Sequence, residues 1–586
     1  MSTDTARRIR MALGEEACDL AIVHVNVVDV FGCEVLPSAT ALVGEGSVLA
    51  VVPDSEAGRV RAREVVDGSG RFLIPGLMDA HLHIESTMLC PPQFASAVLP
   101  FGTTRVVADP HEIANVGGVE GLRYMIEAAR NLPVRIHFAL PSCVPCTPFE
   151  DAGATLTADD LRPFLADPQV CSLGEVMNFP WVFACDEDLL RKVDDARAAG
   201  RMVDGHCPGV RGRHMAAYAA CGVGDDHETT SLEGMRARLR AGLYVFIRQG
   251  SAARSLETLI PGVTPHNARR CCFCTDDMHA GDILEHGHIN HILAQAVALG
   301  LPAPVAVSMA TLNPAQAFGM ERVGAVAPGW RADLCLVDDL VAFHVARVWS
   351  AGREVARDGR LLAPIEAVPV PSRLLASVNM GDFSEARLRL PLPAGRARVI
   401  GLLPRSLVTE SLVMDVATTD GCFDAARNPG LCKIAVIERH KGLGLVGVGI
   451  LKGYAREGAQ LGGAIATSIA HDSHNIVVAG SSDSDMASAA RRVAAMGGGV
   501  AMARDGTIVA ELALPLAGLM SLEGARAVAD GNERLAQAAR GFAVSDDLDP
   551  VVTLSFMSLC VIPSLKVNTR GLFDVDRFGF VRIDDC

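Results

Sequence analysis

The residues with the most chemistry in this sequence are histidines and carboxylates that close short apolar runs. His81 and His83 stand two apart in Pro75-Gly-Leu-Met-Asp-Ala-His-Leu-His-Ile-Glu85. On a strand, positions i and i+2 face the same side, so both imidazoles point together. Two neutral imidazoles so placed are a natural pair of metal ligands. A lone His-x-His pair is by default structural; the other strand ends change that. Leu173-Gly-Glu175, Val203-Asp-Gly-His206, Asp225-Asp-His227 and Cys274-Thr-Asp276 each end an apolar run on a ligand-type residue. His83 and Glu175 lie 92 positions apart, Glu175 and His206 31, His206 and His227 21, and His227 and Asp276 49. At about 30 residues per strand–helix unit, the ligand-bearing strands are numbers one, four, five, six and eight of an alternating series. His81, His83, Glu175, His206, His227 and Asp276 would then meet at one mouth. Four imidazoles and two carboxylates suit two first-row divalent ions, with Glu175 placed to bridge them.

Strands must exist to hold these groups. Candidates lie at 72–84, 103–109, 134–140, 170–176, 201–206, 223–227, 243–249 and 271–276, with helical patterns such as 119–132 and 186–200 between them. Eight strands alternating with helices over about 250 residues is the rhythm of a (β/α)8 barrel, whose sites lie at the strand C-termini. The fold class expected is therefore α/β. A TIM-type barrel covers 71–322, and a small β-domain is formed by its flanks, 1–70 and 323–367. VPVPSR (368–373) reads as a linker, and 374–586 as a C-terminal α/β domain.

Composition narrows the function. Of 586 residues, 53 are Lys or Arg and 68 Asp or Glu, a net charge of −15. Such a surface repels phosphate backbones, which excludes broad nucleic-acid binding. No apolar run approaches the roughly 20 residues of a membrane helix. The N-terminal stretch has no apolar signal core, so the cytoplasm is the expected compartment. Seventeen cysteines in such a chain predict free thiols rather than a disulfide framework. There is no P-loop or G-x-G-x-x-G in a suitable context. His83-Ile-Glu85 with Cys143-Val-Pro-Cys146 mimics the H-x-E and P-C-x-x-C pair of the zinc nucleobase deaminases. Here Ser142 stands before Cys143, and the two pairs fall on separate strands, so the match is taken as chance.

PGLMDAHLHIESTM, followed by ADPHEIANVGG, resembles the adenine deaminase family of the metal-dependent amidohydrolase superfamily. The likeness continues through GEVMNFPWV, DGHCPG, GDDHETT, IRQGS, CTDDMH, MATLNPAQAFG and, late in the chain, AHDSHNI and LPLAGLMS. The resemblance implies the same six metal ligands, two ions of manganese or iron(II), and adenine as substrate. Hydantoinase and dihydroorotase relatives bridge their metals with a modified lysine on strand four. Glu175 stands there instead, which argues against the runner-up, hydrolysis of a cyclic amide or acetylamide. A barrel that kept its fold but lost its chemistry would have shed ligands, and this one keeps the set.

The implied reaction turns adenine and water into hypoxanthine and ammonia. The amine-bearing carbon is poorly electrophilic and water a poor nucleophile, and a divalent ion lowers the pKa of its water towards about 7. Asp276 is expected to take that water's proton and relay it to the amine. A ring nitrogen also needs a proton, for which Glu112 is preferred over Asp109; either could instead cap the helix that follows. Asp109, Asp277 and Arg248 are the candidate purine contacts. HDSHN (471–475) either reaches over the mouth, binds another ion, or forms a hydrogen-bonded turn. A homodimer is ordinary for a barrel enzyme and is expected here.

Overall fold

The computed structural model describes residues 2–251, 253–404 and 406–585. Five strands, β1 (Leu77–Leu82), β2 (Thr103–Ala108), β3 (Arg135–Leu140), β4 (Val170–Val176) and β5 (Met202–Gly205), pair in parallel in that order. β6 (Asp225–Asp226), β7 (Tyr244–Arg248) and β8 (Cys271–Cys274) form a second parallel sheet. Two seams close the ring. Gly205 N–H donates to the Asp225 carboxylate at 2.9 Å. Asp276 N–H donates to the His81 carbonyl at 3.0 Å, beside a parallel bridge from Leu82 to Asp276. Every residue of β2 and β4 is buried. Helices cover the outside of such a barrel, so its strands read as continuous apolar runs rather than alternating ones.

The small β-domain is a nine-stranded sheet drawn from both flanks of the barrel. Phe72–Pro75 pairs antiparallel with Leu334–Val337 and joins the two halves. This divides the run expected as one strand at 72–84. The break is Gly76, where a Cβ would lie 2.2 Å from Thr104 Oγ1, and the chain enters the barrel there rather than at 71.

The C-terminal region is built mostly of strands. Its eight-stranded sheet runs in the order 409–415, 396–402, 446–452, 431–437, 476–480, 464–467, 499–504, 507–513, and only the pairing of 396–402 with 446–452 is parallel. Helix Asp483–Ala495 covers one face through Met486, Ala490 and Val493. The other face contributes Cys432, Ile434 and Val436 to the apolar cluster that also contains the barrel residues Leu82, Val106 and Phe138. Barrel and C-terminal domain thus share one core. No helix among the described residues is long and apolar enough to cross a membrane.

Candidate metal centre

The six residues singled out by spacing converge at the C-terminal ends of the barrel strands. Glu175 lies at their centre. Its Oε1 is 3.3 Å from His83 Nε2 and 3.9 Å from His81 Nε2. Its Oε2 is 2.5 Å from His206 Nδ1 and 3.4 Å from His227 Nε2. Asp276 Oδ1 completes the first group, 3.2 Å from His83 Nε2 and 3.6 Å from His81 Nε2. Two sets of donors with a geometry fit for an ion, His81/His83/Glu175 and Glu175/His206/His227, therefore share one carboxylate. Asp276 holds a positive φ of 58°, which asparagine and aspartate tolerate better than most residues.

The donor chemistry fits divalent cations. His81 Nε2 is buried and has no hydrogen-bond partner, an expensive state unless a cation meets it. The outer ring nitrogens are held by protein. His81 Nδ1 is 3.0 Å from Asp204 Oδ2, and His83 Nδ1 is 3.0 Å from the Asp109 carbonyl. Holding the outer nitrogen fixes the tautomer that leaves Nε2 free to ligate. Burial disfavours charge on these rings, yet the surrounding carboxylates prevail. They lift His81 to about 10 and His206 to about 9. Burial likewise opposes charge on Glu175 and Asp276. His206 beside the one and Arg248 beside the other still hold both well below the usual carboxylate range. The same carboxylates favour positive charge at this place.

The other expected residues take different places around the mouth. Asp109 accepts the N–H of His111 at 3.1 Å and of Glu175 at 3.0 Å, so both its oxygens fix backbone. That occupation ties Asp109 to the start of the helix after β2 and to β4. Arg248 donates to Asp276 Oδ2 at 2.7 Å and also pairs with Glu228. Asp277 accepts from the Ser86 hydroxyl at the cavity rim. Glu112 accepts at Oε1 from His471 Nδ1, 2.5 Å away, and at Oε2 from His474 Nε2. HDSHN thus does reach over the mouth. Cys143 and Cys146 are buried, and burial pushes both thiols up.

Residue spacing overlooked two groups. Asp204 was visible only as part of the Asp-Gly-His run. His111 is the first residue of the helix after β2, not a strand end. Its Nδ1 is 3.6 Å from Glu175 Oε1 and its Nε2 3.5 Å from Glu112 Oε1, so it links the metal cluster to the Glu112 cluster. The Asp-Pro-His-Glu run was the available signal.

A cavity of about 360 Å³ opens above these donors. One wall carries His83, Glu175, His206, His227 and Asp276. The facing wall is apolar and comes from the C-terminal domain: Val408, Phe556, Leu559, Val561 and Ile562. A polar floor under an apolar roof, of this size, suits a small flat heterocycle.

Known proteins agree with this geometry. The Amidohydrolase family model matches residues 72–355, and the Adenine deaminase C-terminal domain matches 406–579. The chain is 48% identical over 577 residues to an adenine deaminase of Nitratidesulfovibrio vulgaris (strain DP4), covering 98% of each chain. It is 44% identical over 578 residues to one from Desulfatibacillum aliphaticivorans, covering 98% of this chain and 99% of that one. It is 40% identical over 583 residues to one from Halalkalibacterium halodurans, covering 99% and 98%.

Proposed function

The chain belongs to the adenine deaminase family of metal-dependent amidohydrolases, and on that premise we propose that its barrel mouth hydrolyses adenine to hypoxanthine and ammonia. The observation that carries this is the pair of donor groups joined at Glu175 beneath an apolar roof of purine size. His81, His83, Glu175, His206, His227 and Asp276 hold the divalent ions, and manganese or iron(II) is the choice the family resemblance favours. Bound there, the ions would supply Lewis acidity and bring the pKa of a water towards about 7.

The protein's own groups do the rest. Asp276 is kept ionised beside Arg248, with Oδ1 towards the metal-ligating histidines. It takes a proton from the attacking water and carries it to the departing amine. Arg248, itself paired with Glu228, braces that carboxylate and fixes its angle. Asp277 lines the cavity, and its carboxylate would meet the purine edge. Phe556, Leu559, Val561 and Ile562 cover the ring and keep bulk water out. The ring nitrogen receives its proton from the side of Glu112. Free thiols throughout the described residues favour a cytoplasmic setting, and a homodimer is the ordinary assembly for such a barrel.

The test is direct. Protein reloaded with manganese or iron(II) should consume adenine and release equal ammonia, while adenosine, cytosine and hydantoin stay intact. Turnover of hydantoin without adenine would move the site to cyclic amides and overturn the proposal.

A further inference from the structure

Glu112 has both oxygens occupied by histidines of another domain. Glu112, His471 and His474 lie close enough together to hold an ion, but the protonation pattern opposes one. His474 Nδ1 accepts the N–H of Ala470 at 3.1 Å, so the proton of a neutral ring sits on Nε2, aimed at Glu112. A nitrogen that carries this proton has no lone pair for a metal. Burial keeps that ring neutral, with its pKa down at about 4. Burial opposes charge on Glu112 too, but His471 first, and His111 with it, hold it well below the carboxylate range. Glu112 is therefore an acceptor with no proton of its own to give.

His471 differs from His474. Its Nδ1 turns to Glu112, which leaves Nε2 as the nitrogen on the cavity side, and the residue lines the cavity that holds the metal ligands. Phe556 stacks on its ring, with centroids 4.5 Å apart at 26°. Its backbone N–H is tied to the Ser555 carbonyl at 2.9 Å. An imidazole fixed on one face by an aromatic ring and on one edge by a carboxylate is built to hold a proton in a set direction.

We infer that His471, supplied by the C-terminal domain, delivers the proton to the purine ring nitrogen, with Glu112 and His474 as positioning residues behind it. This rests on the adenine reading of the same site. As the water oxygen bonds to the amine-bearing carbon, the C=N π pair moves onto the ring nitrogen, which takes the Nε2 proton of His471. One water proton passes through Asp276 to the amine, the C–N bond breaks, and ammonia leaves. The other water proton is released as the carbonyl forms, and it restores His471. Nothing is oxidised or reduced.

The groups facing His471 are Glu112 from the barrel helix, Asp277 after β8, and Asp472 and His474 from its own segment, with Glu85 and His279 lining a cavity together with it. Burial lowers its pKa, and Glu112 more than offsets this, lifting it to about 9. The charged donor form is present below that pH and lost above it.

The experiment compares metal-loaded full-length wild type, His471→Gln and Glu112→Gln by kcat/KM for adenine across roughly pH 6 to 10, with bound metal measured in each. Wild type should fall off above about pH 9. His471→Gln should lose about 10²–10⁴-fold while keeping its metal. Glu112→Gln should move the alkaline limb down towards the ordinary histidine value of about 6.5, a displacement that a merely structural role would not produce. Should His471→Gln fail to fold, the limb in Glu112→Gln decides alone. Activity of His471→Gln within about threefold of wild type, or an unmoved limb in Glu112→Gln, overturns the inference and leaves the adenine reaction standing. Absence of adenine turnover by wild type overturns both.

Discussion

Replacing Asp204 with asparagine should weaken metal binding without touching substrate. Asp204 is fully buried at the end of β5. Its Oδ2 takes His81 Nδ1 at 3.0 Å, and its Oδ1 takes the N–H of Gly205 at 3.0 Å. Asp225 hydrogen-bonds to it as well, and burial pushes that neighbour's carboxyl well above the usual range, so it stands protonated as a donor. Three donors thus converge on one carboxylate. An asparagine offers a single acceptor oxygen, and its NH2 must face at least one of those donors. His81 then loses the partner that fixes its tautomer and ring plane. Loss of such an outer partner costs 10–100-fold in metal affinity, about 1.4–2.7 kcal/mol. The assay is competition with a chelator, with bound metal counted at each chelator concentration. The weaker-bound ion should show the loss, and kcat/KM should recover with excess metal. Affinity within about twofold of wild type would refute the claim that Asp204 orients a ligand.

Four further outcomes follow from the same geometry. Glu175→Gln removes the shared carboxylate, so bound metal should drop below two ions and turnover should fall by more than the roughly 100-fold that an outer partner costs; two retained ions with full rate would contradict the bridge. Asp276→Asn should lower kcat about 10²–10⁴-fold, and a near-normal kcat would remove Asp276 from the proton path. In Arg248→Gln, burial raises the Asp276 pKa with its main opposing charge gone. The ionised form is the working one and exists above that pKa, so the acidic limb of kcat/KM should move to higher pH; an unmoved limb counts against the pairing. Gly174→Ala places a methyl 2.2 Å from Asp109 Oδ2 and 2.9 Å from the Leu140 carbonyl. Denaturant unfolding should show a loss of about 1–3 kcal/mol, and an unchanged midpoint would mean that Asp109 is free to move.

The convergence of these histidines and carboxylates at one mouth was legible because strand geometry leaves a trace in sequence. A barrel strand is apolar until its last residue or two, so His81, Glu175, His206 and Asp276 announce themselves where each run stops, and their spacing counts strands. Local signals failed where a residue's role depends on contacts far along the chain. Glu112 meets His471 across a separation of 359 positions, and nothing near either one discloses the other. Asp109 reads as a polar strand end like Glu175 and Asp276, yet its oxygens go to backbone N–H groups. His111 starts a helix, where period-two reasoning has nothing to say. The run at 72–84 looked like one strand because apolar character continues through Gly76. Only the approach of Thr104, which leaves no room for a side chain there, shows that the chain passes between two sheets. The C-terminal strands were hidden in part because a sheet buried on both faces lacks alternation, as in Leu431–Ile437 and Ile476–Gly480, every residue of which is buried.

The residues gathered around Glu175 would hold two divalent ions, on which adenine turnover should depend. The measurement that tests this most directly is ammonia release from adenine by metal-free protein given increasing manganese or iron(II). No release is expected without metal, and the rate should climb to a plateau at two ions per chain. Full activity without metal, a plateau at one ion, or no ammonia at any loading would contradict this.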